Sequence, residues 1–324
     1  MTDAYLTDEA EGQNFRLMLG DSCERLAEIP TDSVDLSICS PPFDSLFVYS
    51  PTMRDLGNSA SREQFLDHYG YIIREQLRVT KPGRVACVHV AQVATKKAVA
   101  GYIGLTDFRG DVIRAFQGGG WIFHGETTIW KDPQAQSIRT KAHALAFQTK
   151  NRDSASTRPA LADYLLLFRK PGDNAVPIRN QAIGGEVPNN SWIEWASPIW
   201  FDRGESAGDG LGGEHLSPVW LNIKETNTLN VRPGRETSDE RHICPLQLDF
   251  IERCVRLWSN PGELVLSPFA GIGSEIFTAV KLGRRGIGIE LKGSYWRTAV
   301  NNLRDLEAEL ATPTLLDHLD EVAS

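Results

Sequence analysis

Short runs of apolar residues that stop at proline or glycine alternate along this chain with stretches in which apolar residues recur every three or four positions. No other feature restricts the fold as much, because buried strands alternating with amphipathic helices describe an open α/β sheet. Residues 34–40 (VDLSICS) read as a buried strand halted by Pro41-Pro42, which cannot continue a ladder. Residues 61–79 carry Phe65, Leu66, Tyr69, Ile72, Ile73 and Leu77 at helical spacing, and Lys81-Pro82-Gly83 then turns into a second buried strand over 84–90. Residues 119–130 and 161–169 are further strands that suit a long hairpin. Helical spacing returns over 245–258, followed by a strand at 263–267, a helix over 274–283, a strand at 286–290 and a last helix over 294–310.

Between the two α/β portions the texture changes. From 170 to about 241 proline, glycine and asparagine are frequent, periodicity is poor, and Trp192, Trp195, Trp200 and Trp220 crowd together. Large aromatics of this kind suit the core of a small irregular unit at least as well as a ligand surface. The expected organisation is therefore two halves of one sheet domain, 13–170 and 241–310, an inserted region at 171–240, and acidic tails at 1–12 and 311–324.

The net charge of −8 comes from those two ends, and the body between them is close to neutral. Within it Lys131, Arg139, Lys141, Lys150, Arg152 and Arg158 face only Asp132 and Asp153 in the same stretch, a candidate contact for nucleic-acid phosphates or a solvated loop. No apolar run approaches the length of a membrane span, and the acidic start lacks the cationic flank of a signal peptide. The five cysteines, Cys23, Cys39, Cys87, Cys244 and Cys254, are scattered without metal-ligand spacing, so reduced thiols and no metal are expected. The expected location is the cytoplasm.

Two constellations carry chemistry. Pro268-Phe269-Ala270-Gly271-Ile272-Gly273-Ser274 lies between a buried strand and a helix, and Glu290 ends the following strand. Glycines at such a turn let a ligand approach the backbone, and an acid at the end of the next strand can accept both hydroxyl protons of a ribose. A dinucleotide motif would place its third glycine where Ile276 stands, so the site suits an adenosyl group without phosphates. The second constellation is Ser40-Pro41-Pro42-Phe43, at the carboxyl end of a strand. The Ser40 hydroxyl and Pro41 carbonyl are acceptors and Phe43 is a flat apolar face, a combination that can hold a planar base by its exocyclic amino group. Alone, these residues could equally be a strand terminator.

Taken together, SPPF followed far downstream by SPFAGIGS resembles the DNA amino-methyltransferases, which move a methyl group from S-adenosylmethionine to N4 of cytosine or N6 of adenine. The order of motifs is that of the beta class, and the resemblance covers most of 15–303. It takes in Leu19-Gly20-Asp21, Lys81-Pro82-Gly83, Phe168-Arg169-Lys170, Arg241-His242-Ile243-Cys244-Pro245 and residues 282–290. Segments 101–110 and 163–172 look like phage and mobile-element members, which implies a prokaryote or a phage-infected host.

The resemblance implies a Rossmann-like methyltransferase fold, a mostly parallel sheet with an antiparallel hairpin, with 171–240 as target-recognition region. It implies Ser40, Pro41, Pro42 and Phe43 as catalytic residues. For cofactor contacts it implies Asp21, Ser267, Pro268, Phe269, Gly271, Gly273, Ser274, Glu290, His242 and Pro245, and for DNA the basic stretch from Lys131 to Arg158. The partner is double-stranded DNA with a flipped base; a homodimer and a cognate restriction endonuclease are compatible with it. Serine before Pro-Pro is commoner among cytosine-N4 enzymes, so cytosine is preferred over adenine. One departure is Ser267, where the family usually carries aspartate. The rival readings are an RNA or protein-glutamine methyltransferase, a DNA-binding protein without catalysis and, least favoured, a nicotinamide oxidoreductase.

Overall fold

The structure is a computed structural model that describes residues 5–42, 54–95, 97, 101–131, 159, 161–180, 185–201, 220–221, 223, 226–230, 232–234 and 245–312. Its first strand arises where a tail was expected. Asp8–Glu11 (β1) pairs antiparallel with Phe15–Leu19 (β2). The acids have a local reason, since Arg16 Nε lies 2.8 Å from Glu9 Oε1 across the pair, and a charged edge strand discourages pairing with another chain. The expected tail at 1–12 is corrected to that extent; the residues expected as the other tail fall, beyond Thr312, outside the described residues.

A helical turn, Ser22–Arg25 (α1), leads to Val34–Cys39 (β3), whose six residues are all buried, as befits a parallel strand covered on both faces. The next helix, Arg62–Val79 (α2), starts where Ser61 accepts a hydrogen bond from the Gln64 amide. It delivers the chain to Thr80–Ala91 (β4), longer than the strand read from the sequence. Val93–Ala94 (β5) and Leu105–Thr106 (β6) form a small separate pair, followed by Phe108–Gly118 (α3). Ile122–Ile129 (β7) and Asp163–Arg169 (β8) are the expected antiparallel hairpin.

The mid-chain region contributes Asn189–Trp195 (α4), Ile199–Phe201 (β9) and Trp220–Leu221 (β10). It is less separate than the sequence suggested, because β9 runs parallel to β7 and widens the main sheet. Arg284, 1% exposed, ties this region to the core through paired hydrogen bonds to the Glu186 carboxylate. Leu248–Trp258 (α5), Leu264–Ser267 (β11), Ser274–Lys281 (α6), Arg285–Glu290 (β12) and Gly293–Ala311 (α7) complete the fold.

Strand order among the described residues is β1-β2-β12-β11-β3-β4-β8-β7-β9-β10. Strands β2, β12, β11, β3 and β4 are mutually parallel, and β8 enters antiparallel to β4. One face is covered by α2 and α3, with Phe65, Tyr69, Phe108 and Phe116 against Ala86, Val88 and Val90. The other is covered by α5, with Phe250, Ile251 and Cys254 against Leu36, Ile38 and Cys87. Helices α6 and α7 pack on β2 through Ile276, Val280, Leu303 and Leu17.

The position of Ile276 explains the missing third glycine. The close helix-to-strand approach that a glycine on the helix would permit is supplied from the strand instead. A Cβ on Gly286 would stand 2.5 Å from Ile276 Cγ2, and one on Gly288 3.1 Å from Ile276 Cγ1. Gly286→Ala is therefore expected to cost about 1–3 kcal/mol through overpacking, read as a lower urea midpoint. An unchanged midpoint would show that the helix is not seated this closely.

Candidate active site

Strands β3 and β11 are parallel neighbours, joined also by Ser37 Oγ donating to Leu266 O at 3.2 Å. From β11 the chain crosses through α6 to β12 on one side, and from β3 it crosses through α2 to β4 on the other. Their carboxyl ends thus open at a topological switch point, the place where open α/β sheets bind ligands. A pocket of about 1040 Å³, its open mouth included, lies there.

Asp21, Ser40, Pro42, Pro245, Pro268, Phe269, Gly271, Ser274 and Glu290 line this pocket, so most of the catalytic and cofactor residues singled out in the sequence converge on it. Pro41 is buried beside Ser40 and Gly273 caps the start of α6, neither forming part of the wall. Phe43 and His242 lie outside the described residues, as do Arg139, Lys141, Lys150, Arg152 and Arg158.

The glycine loop is fixed by its backbone. Gly271 and Gly273 have φ of 54° and 89°, the left-handed conformation that favours glycine. Ser22 Oγ donates to the Pro268 carbonyl at 2.5 Å, and the Ala270 amide donates to Ile289 O at 2.8 Å. Glu290 receives the Gly271 amide on Oε2 and the Lys292 amide on Oε1, both at 2.8 Å. Each of its oxygens keeps a second lone pair for a hydroxyl donor. Burial pushes the Glu290 carboxyl up to about 7, against the pull of those two amides. Burial, helped by the charge of Glu290, pushes Glu275 up to about 8.

Four carboxyl groups, Asp21, Asp55, Glu275 and Glu290, share the walls with Arg54 and Lys292. Asp21 is partly committed, capping α1 through the Cys23 amide at 2.9 Å and pairing with Arg54 at 3.2 Å. Leu56, Ile72, Leu246, Phe269 and Ile289 supply apolar surface. Such a lining suits a ligand with hydroxyls or an amino group. Ser267 is fully buried, does not reach the pocket, and its Oγ has no hydrogen-bond partner among the described residues. The negative groups of this site come from other positions than 267. Ser274, in the wall, likewise has a buried Oγ without a partner among the described residues.

Behind Ser40 lies a polar chain that sequence reasoning missed. Ser40 Oγ is 3.2 Å from His89 Nδ1, and His89 Nε2 is 2.9 Å from Asp163 Oδ2. The same oxygen is 2.8 Å from Lys131 Nζ. Burial raises the Asp163 carboxyl, but Lys131 and His89 outweigh it and hold the group well below the usual carboxylate range. Lys131, expected to contact phosphate, is only 7% exposed and committed to this ion pair. A signal was present: His89 interrupts the apolar run ACVHVA and Asp163 starts DYLLLF. Nothing in one sequence says that the two are neighbours.

Comparison with known proteins gives this geometry a family. A family model described as DNA methylase matches residues 34–301. The type II methyltransferase M.BamHI of Bacillus amyloliquefaciens is 23% identical over 280 residues, which is 85% of this chain and 54% of that protein, so the chain spans about half that relative's length. In fold the chain is similar to a Thermus thermophilus protein described as a DNA modification methylase and solved with S-adenosyl-L-methionine. The TM-score is 0.60 at 22% identity, covering 89% of this chain and 94% of that one. It is also similar to the PvuII DNA methyltransferase, described as cytosine-N4-specific, with a TM-score of 0.59 at 15% identity, covering 92% and 93% of the two chains. With the family match running from the first switch-point strand into the last helix, the chain belongs to the DNA methylase family of N6/N4 methyltransferases.

Proposed function

We propose that this protein methylates DNA at the N4 amino group of cytosine, using S-adenosylmethionine bound between β11 and β12. The observation that carries the reading is the juxtaposition, in one pocket, of a hydroxyl that can grip an amino group, Ser40, and a carboxylate placed for a ribose, Glu290. The lining fits the cofactor's chemistry: Glu290 for the ribose hydroxyls, apolar walls for the adenine, and further carboxyl groups for its amino group. Asp21, Pro268, Phe269, Gly271, Gly273, Ser274 and Pro245 belong to this subsite in the proposal, with His242 as a further contact. When bound, the cofactor supplies an electrophilic methyl group on a sulfonium sulfur.

Everything else falls to the protein. An exocyclic amino group is a poor nucleophile because its lone pair is delocalised into the base. Hydrogen bonds from its two N–H groups to Ser40 Oγ and the Pro41 carbonyl favour a pyramidal nitrogen and aim the lone pair. Pro42 and Phe43 hold the base plane, so the gain is one of positioning and fixed dipoles. The flipped base leaves the duplex at a cost of a few kcal/mol, which the pocket offsets by stacking and hydrogen bonding. The region 171–240 reads the target sequence in this account, and Arg139, Lys141, Lys150, Arg152 and Arg158 hold phosphates. Double-stranded DNA is the partner; a second copy of the chain and a restriction endonuclease are further partners that the family's type II relatives bring into view.

The test is to incubate the protein with unmethylated DNA and isotopically labelled S-adenosylmethionine and to identify the labelled nucleoside by mass spectrometry. N4-methylcytosine is expected; N6-methyladenine would keep the fold and site but overturn the base assignment, and no label in DNA would overturn the reading. Ser40→Ala should lower the transfer rate by about a hundredfold while leaving cofactor affinity unchanged. Because the Glu290 carboxyl titrates near 7 and only its charged form accepts two hydroxyls, affinity should be full above that pH and fall below it. Calorimetry should show binding about tenfold weaker at pH 6 than at pH 8, with the dependence gone in Glu290→Gln.

A further inference from the structure

The polar chain behind Ser40 is built from three strands that meet at the same end of the sheet. His89 is near the carboxyl end of β4, Asp163 opens β8, and Lys131 follows β7. Register brings them together, since Ala91 pairs with Asp163 and Asp163 with Ile129. All three are buried, at 6%, 8% and 7% exposure. A buried Asp–Lys pair would be complete by itself; here the same carboxylate oxygen also holds the imidazole that faces the Ser40 hydroxyl. Among the described residues, the groups that face the ring include Asp163 from β8, Lys131 beyond β7, Ser40 beyond β3 and the Phe250 ring from α5, edge-on at 5.4 Å.

We propose that His89, oriented by Asp163 and tempered by Lys131, is the proton acceptor for the reaction through Ser40. This rests on the amino-methyltransferase reading above. The carboxylate takes the Nε2–H hydrogen bond and so fixes the tautomer whose Nδ1 accepts from the Ser40 hydroxyl. After the amino nitrogen has gained its methyl group it carries a positive charge and a surplus proton. That proton passes to Ser40 Oγ while Ser40's own proton passes to His89 Nδ1. The nitrogen keeps the electron pair of the broken N–H bond and becomes neutral, Ser40 is regenerated, and the imidazole becomes an imidazolium beside the Asp163 carboxylate. It returns the proton to solvent when product leaves, so no other reactant is consumed.

Lys131 has a defined part in this arrangement. Its Nζ shares Asp163 Oδ2 with His89 Nε2, so it draws part of the carboxylate's charge away from the imidazole and fixes the carboxylate that orients the ring. The three are positioning residues that act through Ser40, the group that touches the base.

The test uses the full chain and single-turnover transfer from labelled S-adenosylmethionine, kept saturating at every pH so that the Glu290-dependent affinity does not enter the rate, to unmethylated duplex DNA between pH 6 and 9. Cofactor affinity is measured by calorimetry and the imidazole titration by NMR. The unaltered protein should lose rate toward acid with a midpoint equal to the NMR midpoint of His89. His89→Gln should lower the plateau rate by about a hundredfold, remove that acid limb, and leave cofactor affinity and KM for DNA within twofold. A His89→Gln protein with the wild-type rate and acid limb overturns the proposal. Should that variant also lose cofactor binding, the pair Asp163→Asn with Lys131→Met decides, since it keeps the imidazole and removes both charges behind it. A shifted acid limb supports the relay and an unshifted one overturns it. No transfer by the unaltered protein overturns the functional reading and this proposal together, whereas transfer with an indifferent His89 overturns this proposal alone.

Discussion

The site depends on one lateral contact, the parallel pairing of β3 with β11. These strands are separated by more than two hundred residues, yet their neighbourhood sets the carboxyl end of one beside the carboxyl end of the other. Because the crossovers that leave them go to opposite sides, neither crossover helix, α2 nor α6, closes the gap above them. The Pro-Pro terminus and the glycine loop are thereby presented across one cleft. Ser37 and Gln76 reinforce the pairing from beneath: Gln76 Nε2 donates to Ser37 Oγ at 2.5 Å, and that hydroxyl donates to the β11 carbonyl of Leu266. These buried hydrogen bonds tie α2 to both strands beneath the site and stiffen the outer end of the sheet that carries it.

Electrostatics then divides the cleft in two. On the β11–β12 side burial pushes the Glu275 and Glu290 carboxyls upward, helped at Glu275 by the charge of Glu290 and at Glu290 by that of Asp55. Glu290 stays useful because two backbone amides favour its charged form. On the β3–β4 side the opposite holds, for Asp163 is kept charged by Lys131 and His89. Carboxyl groups in one site that are driven in opposite directions are a mark of functional geometry. The first group suits hydroxyl donors and the second orients an imidazole.

Much of this was legible in the sequence. Short, mostly apolar runs, closed by proline after β3 and β11, identify β3, β4, β11 and β12, since strands covered on both faces lose the polar alternation. Helical spacing located α2 and α7 to within a residue or two at each end. Convergence of Ser40 with Glu290 followed from placing both motifs at strand ends. What could not be read depends on register and partner choice. Asp8–Glu11 looks like a tail until Arg16 is opposite it. Ile276 looks like a defect in a glycine motif until Gly288 is seen across from the helix that carries it. Lys131 looks like one of a row of surface cations because nothing local reveals that β8 presents Asp163 to it, and the same hairpin register conceals His89.

The most direct measurement is a structure of the protein with a cofactor analogue and a short duplex carrying the target base. The account predicts the ribose hydroxyls on Glu290 and the exocyclic nitrogen within hydrogen-bond distance of Ser40 Oγ, with His89 on the far side of that hydroxyl. A base seated elsewhere, or an analogue whose ribose does not reach Glu290, would contradict it.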